Sequence, residues 1–526
     1  MSVNVYVVGV GMTNFEKPNA GIDYPEIGKA AVEQALKDCN ISYDSVQQAV
    51  CGYVYGDSTS GQRVLYQVGM TGIPIINVNN HGATGATALF LAHQLIQGGL
   101  ADVVLALGFE KMTPGRLPGT AYPDRTYPLD KHQYKMLEMV QVENAPPTAQ
   151  CFGNAAIEHM KKYGTSTLQF AKIAVKNHHN GSKNPRALNK RSYTLDEVLN
   201  SKYIFGPLTK LQCCSNSSGA AAAVLMSEKA VANYRLHEKA VQILGMAMAT
   251  DTAAVFIDKS VMKIAGYDMT ALAAKQVYEK TGISPSQIDV VELHDCFTTN
   301  ELITYEGLQL CGEGKGGEFV DAGDNTYGGK VVVNPSGGLL ARGNPIGATG
   351  LAQCAELVWQ LRGEAENRQV PNARIGLQHN LGLGGAVVVA IYRGFSSNVS
   401  RGPKGTVAPD KFRVHKYLKS LEKSMQNKGM DPVTVPAVFA IKVSDETTGA
   451  EGYWVVNTKE GSMKITYMAY GEPDFTVTGT DGDIVEVMID ETDSSAANYQ
   501  GTLRLQGQLD LSLRHKSLAN KVRAKI

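Results

Sequence analysis

The sequence predicts an α/β chain built as two similar layered halves, followed by a small separate α+β domain. Three observations carry this. Apolar strand-like runs alternate with helical patterns as far as residue 395, which is the mark of layered α/β folds. A short turn, Gly82-Ala83-Thr84-Gly85, recurs as Gly347-Ala348-Thr349-Gly350; each copy opens an Ala/Leu-rich helix, and each helix is followed by an apolar strand. The composition then shifts at Ser396 to Gly405, a Ser/Gly/Pro-rich run that reads as a linker. The expected boundaries are 1–250 for the first half, including a loop region at about 113–215, then 251–395 for the second half, 396–405 for the linker and 406–526 for the last domain.

Along the chain, Val3 to Val10 reads as a buried strand closed by a Gly9-x-Gly11 turn, too short a pattern for a dinucleotide fingerprint. Ile27 to Cys39 has the spacing of an amphipathic helix, and Ala49 to Tyr55 that of a second strand. Ile73 to Ile76 is strand-like, Ala86 to Gln97 is an Ala-rich helix ending at Gly98-Gly99, and Asp102 to Gly108 is another apolar strand. From about Thr113 to Pro147 the chain is rich in Pro and Tyr with little period, and a loop of that length is expected to act as a lid or binding loop. Helices at Cys151 to Lys162 and Thr167 to His179 precede strands at Gly219 to Met226 and Ala240 to Met248. In the second copy of the repeat the helix ends near Gly363 and the strand runs from Arg374 to Leu377. Two similar halves imply an internal pseudo-twofold that brings the two helix N-termini to a shared centre. Beyond the linker, Phe412 to Lys428 patterns as an amphipathic helix, with strands at Ala437 to Val443, Gly452 to Asn457, Met463 to Met468 and Asp474 to Thr478.

The stretch Asn77-Val78-Asn79-Asn80-His81-Gly82 organises the rest. It joins a strand to a helix, and free N–H groups at a helix start favour a thiolate or an oxyanion. At the tip, where such chemistry wants Cys or Ser, the chain has Gly82.

Composition excludes several classes. The chain has 526 residues, enough for two to four domains. Its 50 basic and 50 acidic residues give no support to nucleic-acid or membrane-surface binding. Eight Cys show no C-x-x-C spacing, which argues for reduced thiols in an intracellular compartment and against a zinc site; no metal is expected. No apolar run is long enough for a membrane span, and Met1 to Val5 does not open a signal peptide. The last residues, Ala524-Lys525-Ile526, read either as a weak peroxisomal address, with an import receptor as partner, or as a frayed basic tail of a cytoplasmic protein.

A set of ordered motifs spans nearly the whole chain: Gly56-Asp57-Ser58-Thr59-x-Gly61-Gln62-Arg63, Asn77 to Asn80, Leu107 to Met112, Gln212-Cys213-Cys214, Glu292 to Phe297, Asn325 to Gly329, Asn334 to Gly338 and Gln378 to Gly382. In these it resembles the sterol carrier protein x family, in which a sterol-carrier-type thiolase is fused to a sterol carrier protein 2 domain. The resemblance implies a five-layer thiolase fold, a homodimer, and thiolytic cleavage of 3-ketoacyl-CoA with branched or sterol-derived chains. It implies CoA or acyl-CoA as ligand and no other cofactor. In the terminal domain it implies a tunnel for acyl chains or sterols, with Ile484, Val485, Val487 and Met488 either lining it or packing the core. Leu509 to Arg514 is a strand by its period of two and a helix by the resemblance.

The same resemblance assigns roles. The nucleophile falls on Gly82, and the activating His of a Gly-His-Pro motif falls on Asn344 in Gly343-Asn344-Pro345. His294 and Cys296 of the His-Asp-Cys-Phe motif match the second-site residues, and His379 opens an intact His-Asn-x-Gly. Cys296 also reads as a buried small hydrophobe. His81 is either a surrogate nucleophile or a polar residue satisfying the helix start. Cys213-Cys214 reads as packing, and His178-His179 as a solvated helix end. The expectation is a thiolase-like protein impaired in thiolysis, a pseudoenzyme that binds acyl-CoA or lipid or acts as a structural partner. Two alternatives stand beside it: an acyl-CoA enzyme, either an active peroxisomal 3-ketoacyl-CoA thiolase or a decarboxylase-type enzyme, and a lipid-transfer protein on a thiolase scaffold.

Overall fold

Strand pairing shows the doubling directly. The computed structural model describes residues 3–19, 21–114, 124–140, 143–394, 412–419, 438–444, 451–457, 464–467, 475–488 and 503–507. The chain divides into two units, 1–397 and 398–526. The first unit carries β1 (Val5–Met12), β2 (Gln48–Gly52), β3 (Ile75–Val78), β4 (Val103–Glu110), β5 (Gly219–Ser227), β6 (Val241–Ala249), β7 (Val290–Glu292), β8 (Val332–Val333), β9 (Ile375–Gly382) and β10 (Ala386–Gly394). They form one ten-stranded sheet in the order β3-β2-β4-β5-β1-β6-β10-β9-β7-β8. Exchanging β1 to β5 for β6 to β10 reverses this order onto itself. The sense of pairing follows suit: β2 is parallel to β3 and β4, β7 is parallel to β8 and β9, and the other pairs in each half are antiparallel. The halves meet where Val5 to Val7 of β1 pair with Val241 to Ile243 of β6.

Each sheet half is buried on both faces, which explains its near-continuous apolar strands. Helix α1 (Tyr24–Cys39) covers one outer face, packing Ala31, Val32 and Ala35 with Leu105 and Leu107 of β4. The alternate residues Val104 and Ala106 point into a central core, as the period of two requires. That core holds α2 (Thr84–Gln97) and its repeat partner α9 (Thr349–Arg362). The other outer face packs α4 (Pro147–Tyr163), α6 (Tyr267–Thr281) and α7 (Thr298–Gly307) against β9 and β10. The result is helix, sheet, paired helices, sheet, helix. The repeated Gly-Ala-Thr-Gly has a packing cause: a Cβ at Gly85 would lie 2.9 Å from Gly347 O and Gly350 N, so only glycine lets the two helix starts cross this closely.

Two expectations are corrected. Gly9-x-Gly11 is no turn; both residues lie inside β1, where a Cβ would meet the carbonyls of Ala35 and Ala31 on α1. The 113–147 stretch is not wholly loop, since α3 (Asp130–Leu137) stands within it, followed by α4 and then α5 (Thr167–Ser182).

In the second unit β11 (Val438–Ser444), β12 (Glu451–Asn457), β13 (Lys464–Tyr467), β14 (Phe475–Thr480) and β15 (Leu503–Gly507) form a sheet in the order β13-β12-β11-β14-β15. Residues 413–419 are helical, and Asp481 accepts from Arg413 N at 2.7 Å and Val414 N at 3.0 Å to cap that helix. Trp454, Phe412, Ile441, Ile484 and Val485 are buried. Val487 and Met488 lie in the helix Asp481–Met488. The linker 396–405, Leu509 to Arg514 and Ala524 to Ile526 lie outside the described residues.

Candidate active site

The Asn-rich turn is held by its own side chains. Asn80 N donates to Thr84 Oγ1 at 2.9 Å, Thr84 Oγ1 donates to His81 O at 2.6 Å, and His81 N donates to Asn79 Oδ1 at 3.0 Å. His81 takes φ +51°, the left-handed region that side chains rarely occupy, and opens a 3-10 turn, His81–Ala83, that runs into α2. Its imidazole is half-buried, and burial lowers its pKa. Gly82 is buried. A Cβ built on it would lie 2.4 Å from Leu381 O and 3.1 Å from His294 Cε1. The turn has closed over the position from which a nucleophile would project.

His294 follows β7 and faces that turn. Its Nδ1 accepts from Asn380 Nδ2 at 2.9 Å, so the neutral ring carries its hydrogen on Nε2, which no described group engages. Burial, then the neighbouring His379, His81 and Arg342, hold His294 well below the usual histidine range. His379 sits behind the site. It is fully buried, its Nδ1 accepts from His294 N at 3.4 Å and its Nε2 pairs with Thr270 Oγ1 at 3.0 Å, and burial pushes its pKa down to about 3.

Asp295, between His294 and Cys296 in the motif, is fully buried. It accepts from Leu339 N at 2.7 Å and Leu340 N at 3.2 Å, and from Asn177 Nδ2 at 2.8 Å. It thereby anchors α8 (Gly338–Arg342), the helix that delivers Gly343-Asn344-Pro345. Asn344 is held on two sides: its N donates to Ser215 O at 3.3 Å, and Thr349 Oγ1 of the second repeat turn donates to its Oδ1 at 2.7 Å. The amide Nδ2 is then directed at Cys214 Sγ, 3.7 Å away. Cys214 N donates to Cys296 O at 2.9 Å. Burial, together with Cys214 and Asp295, pushes the Cys296 thiol well above its ordinary value.

The structure therefore gathers Gly82, His81, His294 and Asn380 on one side, and Cys296, Cys214 and Asn344 on the other, with His379 as support. Beside Cys151, an electrostatic neighbour of Cys296, a mostly apolar cavity of about 40 Å³ is lined by Met136, Pro147, Ile264 and Leu383. Helix α3 forms part of its wall through His132, Gln133 and Met136, with Leu129 just before it. Cys214 was legible only as packing, because adjacent Cys carry no spacing signal. Glu110 was not foreseen either. It is buried at the end of β4 and accepts from Val54 N, Tyr55 N and Gly347 N at 3.0–3.1 Å, tying the first half to the second repeat turn. His178 corrects the reading of a solvated pair: it is buried, with Nε2 3.0 Å from Leu211 O and its ring edge-on to Tyr193, whereas His179 is exposed. Among the described residues no group of three or more His, Cys, Asp or Glu is arranged to hold a metal, and no helix is long and apolar enough to cross a membrane.

A doubled five-strand half with crossing helix starts, facing an Asn-rich turn and a His-Asp-Cys segment, defines a thiolase-class unit. The thiolase N-terminal domain model matches residues 5–229, the thiolase C-terminal domain-like model 234–393, and the SCP-2 sterol transfer family 418–520. Sterol carrier protein 2 from Oryctolagus cuniculus and that from Homo sapiens are each 50% identical to this chain, over 98% of its length and 96% of theirs. Non-specific lipid-transfer protein-like 2 of Caenorhabditis elegans is 52% identical over 74% of this chain and 96% of its own. Among solved structures, the Ltp2-ChsH2(DUF35) aldolase has a TM-score of 0.64 at 24% identity, covering 76% of this chain and 99% of that one. Human mitochondrial 3-ketoacyl-CoA thiolase has 0.57 at 19%, covering 75% and 99%; at these identities both likenesses concern the fold. The chain belongs to the sterol carrier protein 2 family, with a thiolase unit joined to an SCP-2 domain.

Proposed function

We propose that the thiolase unit binds acyl-CoA without cleaving 3-ketoacyl-CoA by thiolysis, while the terminal domain carries lipid or sterol. The observation that carries this reading is the Leu381 carbonyl lying against Gly82, at the point a nucleophile's Cβ would need. Thiolysis passes through a covalent acyl-enzyme, and glycine has no atom to carry the acyl group. The second missing part is the base, because Asn344 has no proton-accepting nitrogen. The test is thioester loss from acetoacetyl-CoA with free CoA, run beside calorimetric titration with acetyl-CoA. Binding without thioester loss is the expected result; turnover of the unmodified protein overturns the reading.

The thiolase unit is proposed to pair as a homodimer through the β3 edge. Strand β3 is half-buried and, among the described residues, pairs only with β2; Tyr66, Met70 and Leu100 of the first half are exposed by 53%, 78% and 70%. An edge with apolar neighbours is a template for pairing with another strand. Light scattering at micromolar concentration tests this, and a monomer mass refutes it.

A further inference from the structure

We propose that a second cavity of the thiolase unit, outside the candidate active site, binds a small zwitterion of the amino-acid type, with one carboxylate and one ammonium group. The cavity, of about 710 Å³, is lined by Arg186, Glu16, Glu26 and Glu366, with Ile22 and Ile27 among its apolar groups. Small-molecule sites run from about 300 to 1,000 Å³ and combine an apolar lining with a few polar groups. None of the candidate-site residues lines this cavity. Gly219 on its wall adjoins the turn that carries Asn344, since a Cβ there would lie 3.3 Å from Pro345 Cγ.

Arg186 supplies the anion-binding end. Its N donates to Asn184 Oδ1 at 3.0 Å and its O accepts from Phe15 N at 3.1 Å, so its backbone is held on both sides. Its Nε donates to Met12 O at 3.3 Å, and the guanidinium carbon stands 4.4 Å from the centre of the Trp359 ring on α9. Among the described residues the guanidinium makes no other hydrogen bond and no ion pair, which leaves both Nη groups to act. A guanidinium stacked on an aromatic face offers its edge to a planar anion as two parallel hydrogen bonds. Beside it stands Arg368, fully buried and held by Glu356 through Nε and Nη2 at 3.1 Å each. Its Nη1 is buried and meets no described acceptor. Two neighbouring guanidiniums with unspent hydrogens favour an anion at this end of the cavity.

A bare anion does not suit the rest of the lining. Glu16, Glu26 and Glu366 set three carboxylates against one guanidinium, a net charge of −2 (1 − 3). Among the described residues none of the three carboxylates forms an ion pair or accepts a hydrogen bond, so each is available to an ammonium group. A lone carboxylate therefore enters against repulsion, and a lone ammonium leaves the Arg186 fork unmatched. A molecule that carries both charges answers both ends at once.

The test titrates the full chain by calorimetry with glycine, 3-aminopropanoate, 4-aminobutyrate and 6-aminohexanoate, which hold the two charges at increasing separation. Acetate and methylammonium serve as single-charge controls. Tryptophan emission is followed in parallel, because Arg186 lies over Trp359. The expected result is a dissociation constant on the order of 1 mM for the amino acid whose length fits, with both controls about 10-fold weaker or more, each lacking one charge-assisted contact. Arg186→Gln is expected to weaken the fitting amino acid by about 10-fold or more. Glu366→Gln, at an exposed position, is expected to weaken it by about 2–5-fold while tightening acetate. That opposite response is one a purely structural role would not produce, and it decides the matter should Arg186→Gln fail to fold. No binding by any of the four amino acids up to about 10 mM overturns the proposal. So does affinity no better than that of acetate, or affinity unchanged in both variants. Acyl-CoA binding is independent of every one of these outcomes.

Discussion

Gly82→Cys, which puts a thiol where the proposed reading lacks one, is expected to leave the protein without thiolase turnover. Space opposes it first. A Cβ at this position would lie 2.4 Å from Leu381 O, and ordinary contact begins at 3.4 Å, so turn and strand must part by 1.0 Å (3.4 − 2.4). Leu381 cannot retreat freely, because it is paired with Val387 inside the β9–β10 ladder. Protonation opposes it next. A helix start lowers a thiol's pKa, but burial pushes the neighbouring Cys296 well above its ordinary value, and no described cation faces Gly82. His294, whose Cε1 would be 3.1 Å from the new Cβ, presents a hydrogen and not a lone pair. The base is then absent at Asn344, and general-base help is worth about 10²–10⁴-fold. The assay is intact-mass detection of an acyl adduct after acetoacetyl-CoA, with initial rates of thioester loss in free CoA. The single variant is expected to form the adduct slowly at best and to give no turnover, whereas Gly82→Cys with Asn344→His acylates about 10²-fold faster or more. One acyl group per chain forming on the single variant as fast as on the double variant would refute the reasoning.

Three further outcomes follow from particular contacts. Asp295→Asn sets an amide NH₂ against one of the Leu339 and Leu340 N–H groups, and leaving a buried donor unpaired costs about 1–3 kcal/mol; the denaturation midpoint should fall, and an unchanged midpoint would show that α8 does not depend on this anchor. Thr349→Val strips the hydrogen from Asn344 Oδ1 at a similar cost, about 1–3 kcal/mol, while Thr349→Ser keeps it, so equal midpoints for the two variants would exclude the hydrogen bond as the cause. His93, buried in α2, is held neutral to about pH 4 by burial and then by Lys280. Its folded pKa is depressed, so the unfolded chain binds more protons between that value and the ordinary histidine value of 6.5, and stability is lost as pH falls through this window. The full effect is about 3 kcal/mol at 1.36 kcal/mol per unit; His93→Leu should show a smaller drop in melting temperature from neutral to acid pH, and equal drops would count against it.

Much of the fold was legible because the signals were local. The two Gly-Ala-Thr-Gly turns announced both central helices; continuous apolar runs placed β4, β5 and β6 to within two residues at either end, and the start of β9, whose last five residues were missed. What was not legible depends on approach between distant segments. Gly9 and Gly11 looked like a turn because glycine in a strand has no local signature distinguishing it from a bend; only α1 lying against them explains their lack of side chains. His178 looked solvated because it stands among polar residues, yet α5 is polar there to serve a buried network in which Asn177 meets Asp295. The roles proposed for the positions of Gly82 and Asn344 came from the family's pattern alone; the residues themselves carry no such signal. Cys214 and Glu110 were not legible, since each acts through backbone groups of segments far along the chain.

The contacts also separate two reasons for a motif to remain intact. In the His-Asp-Cys-Phe and His-Asn-x-Gly segments, most polar side chains carry structural duties. Asp295 holds α8, His379 supports the backbone of His294, and Asn380 fixes the His294 ring. Replacing any of them would leave buried donors or acceptors unpaired whether or not the protein turns anything over. Gly82 has no side chain to contribute, and Asn344 meets its structural obligations with Thr349 and Ser215. Intact motifs around them therefore argue for a preserved fold and carry little weight as signs of preserved thiolysis. His294 Nε2 differs: its ring lies against Gly82, and its N–H meets no described partner, for which stability gives no reason. That group is where retained chemistry has to be measured.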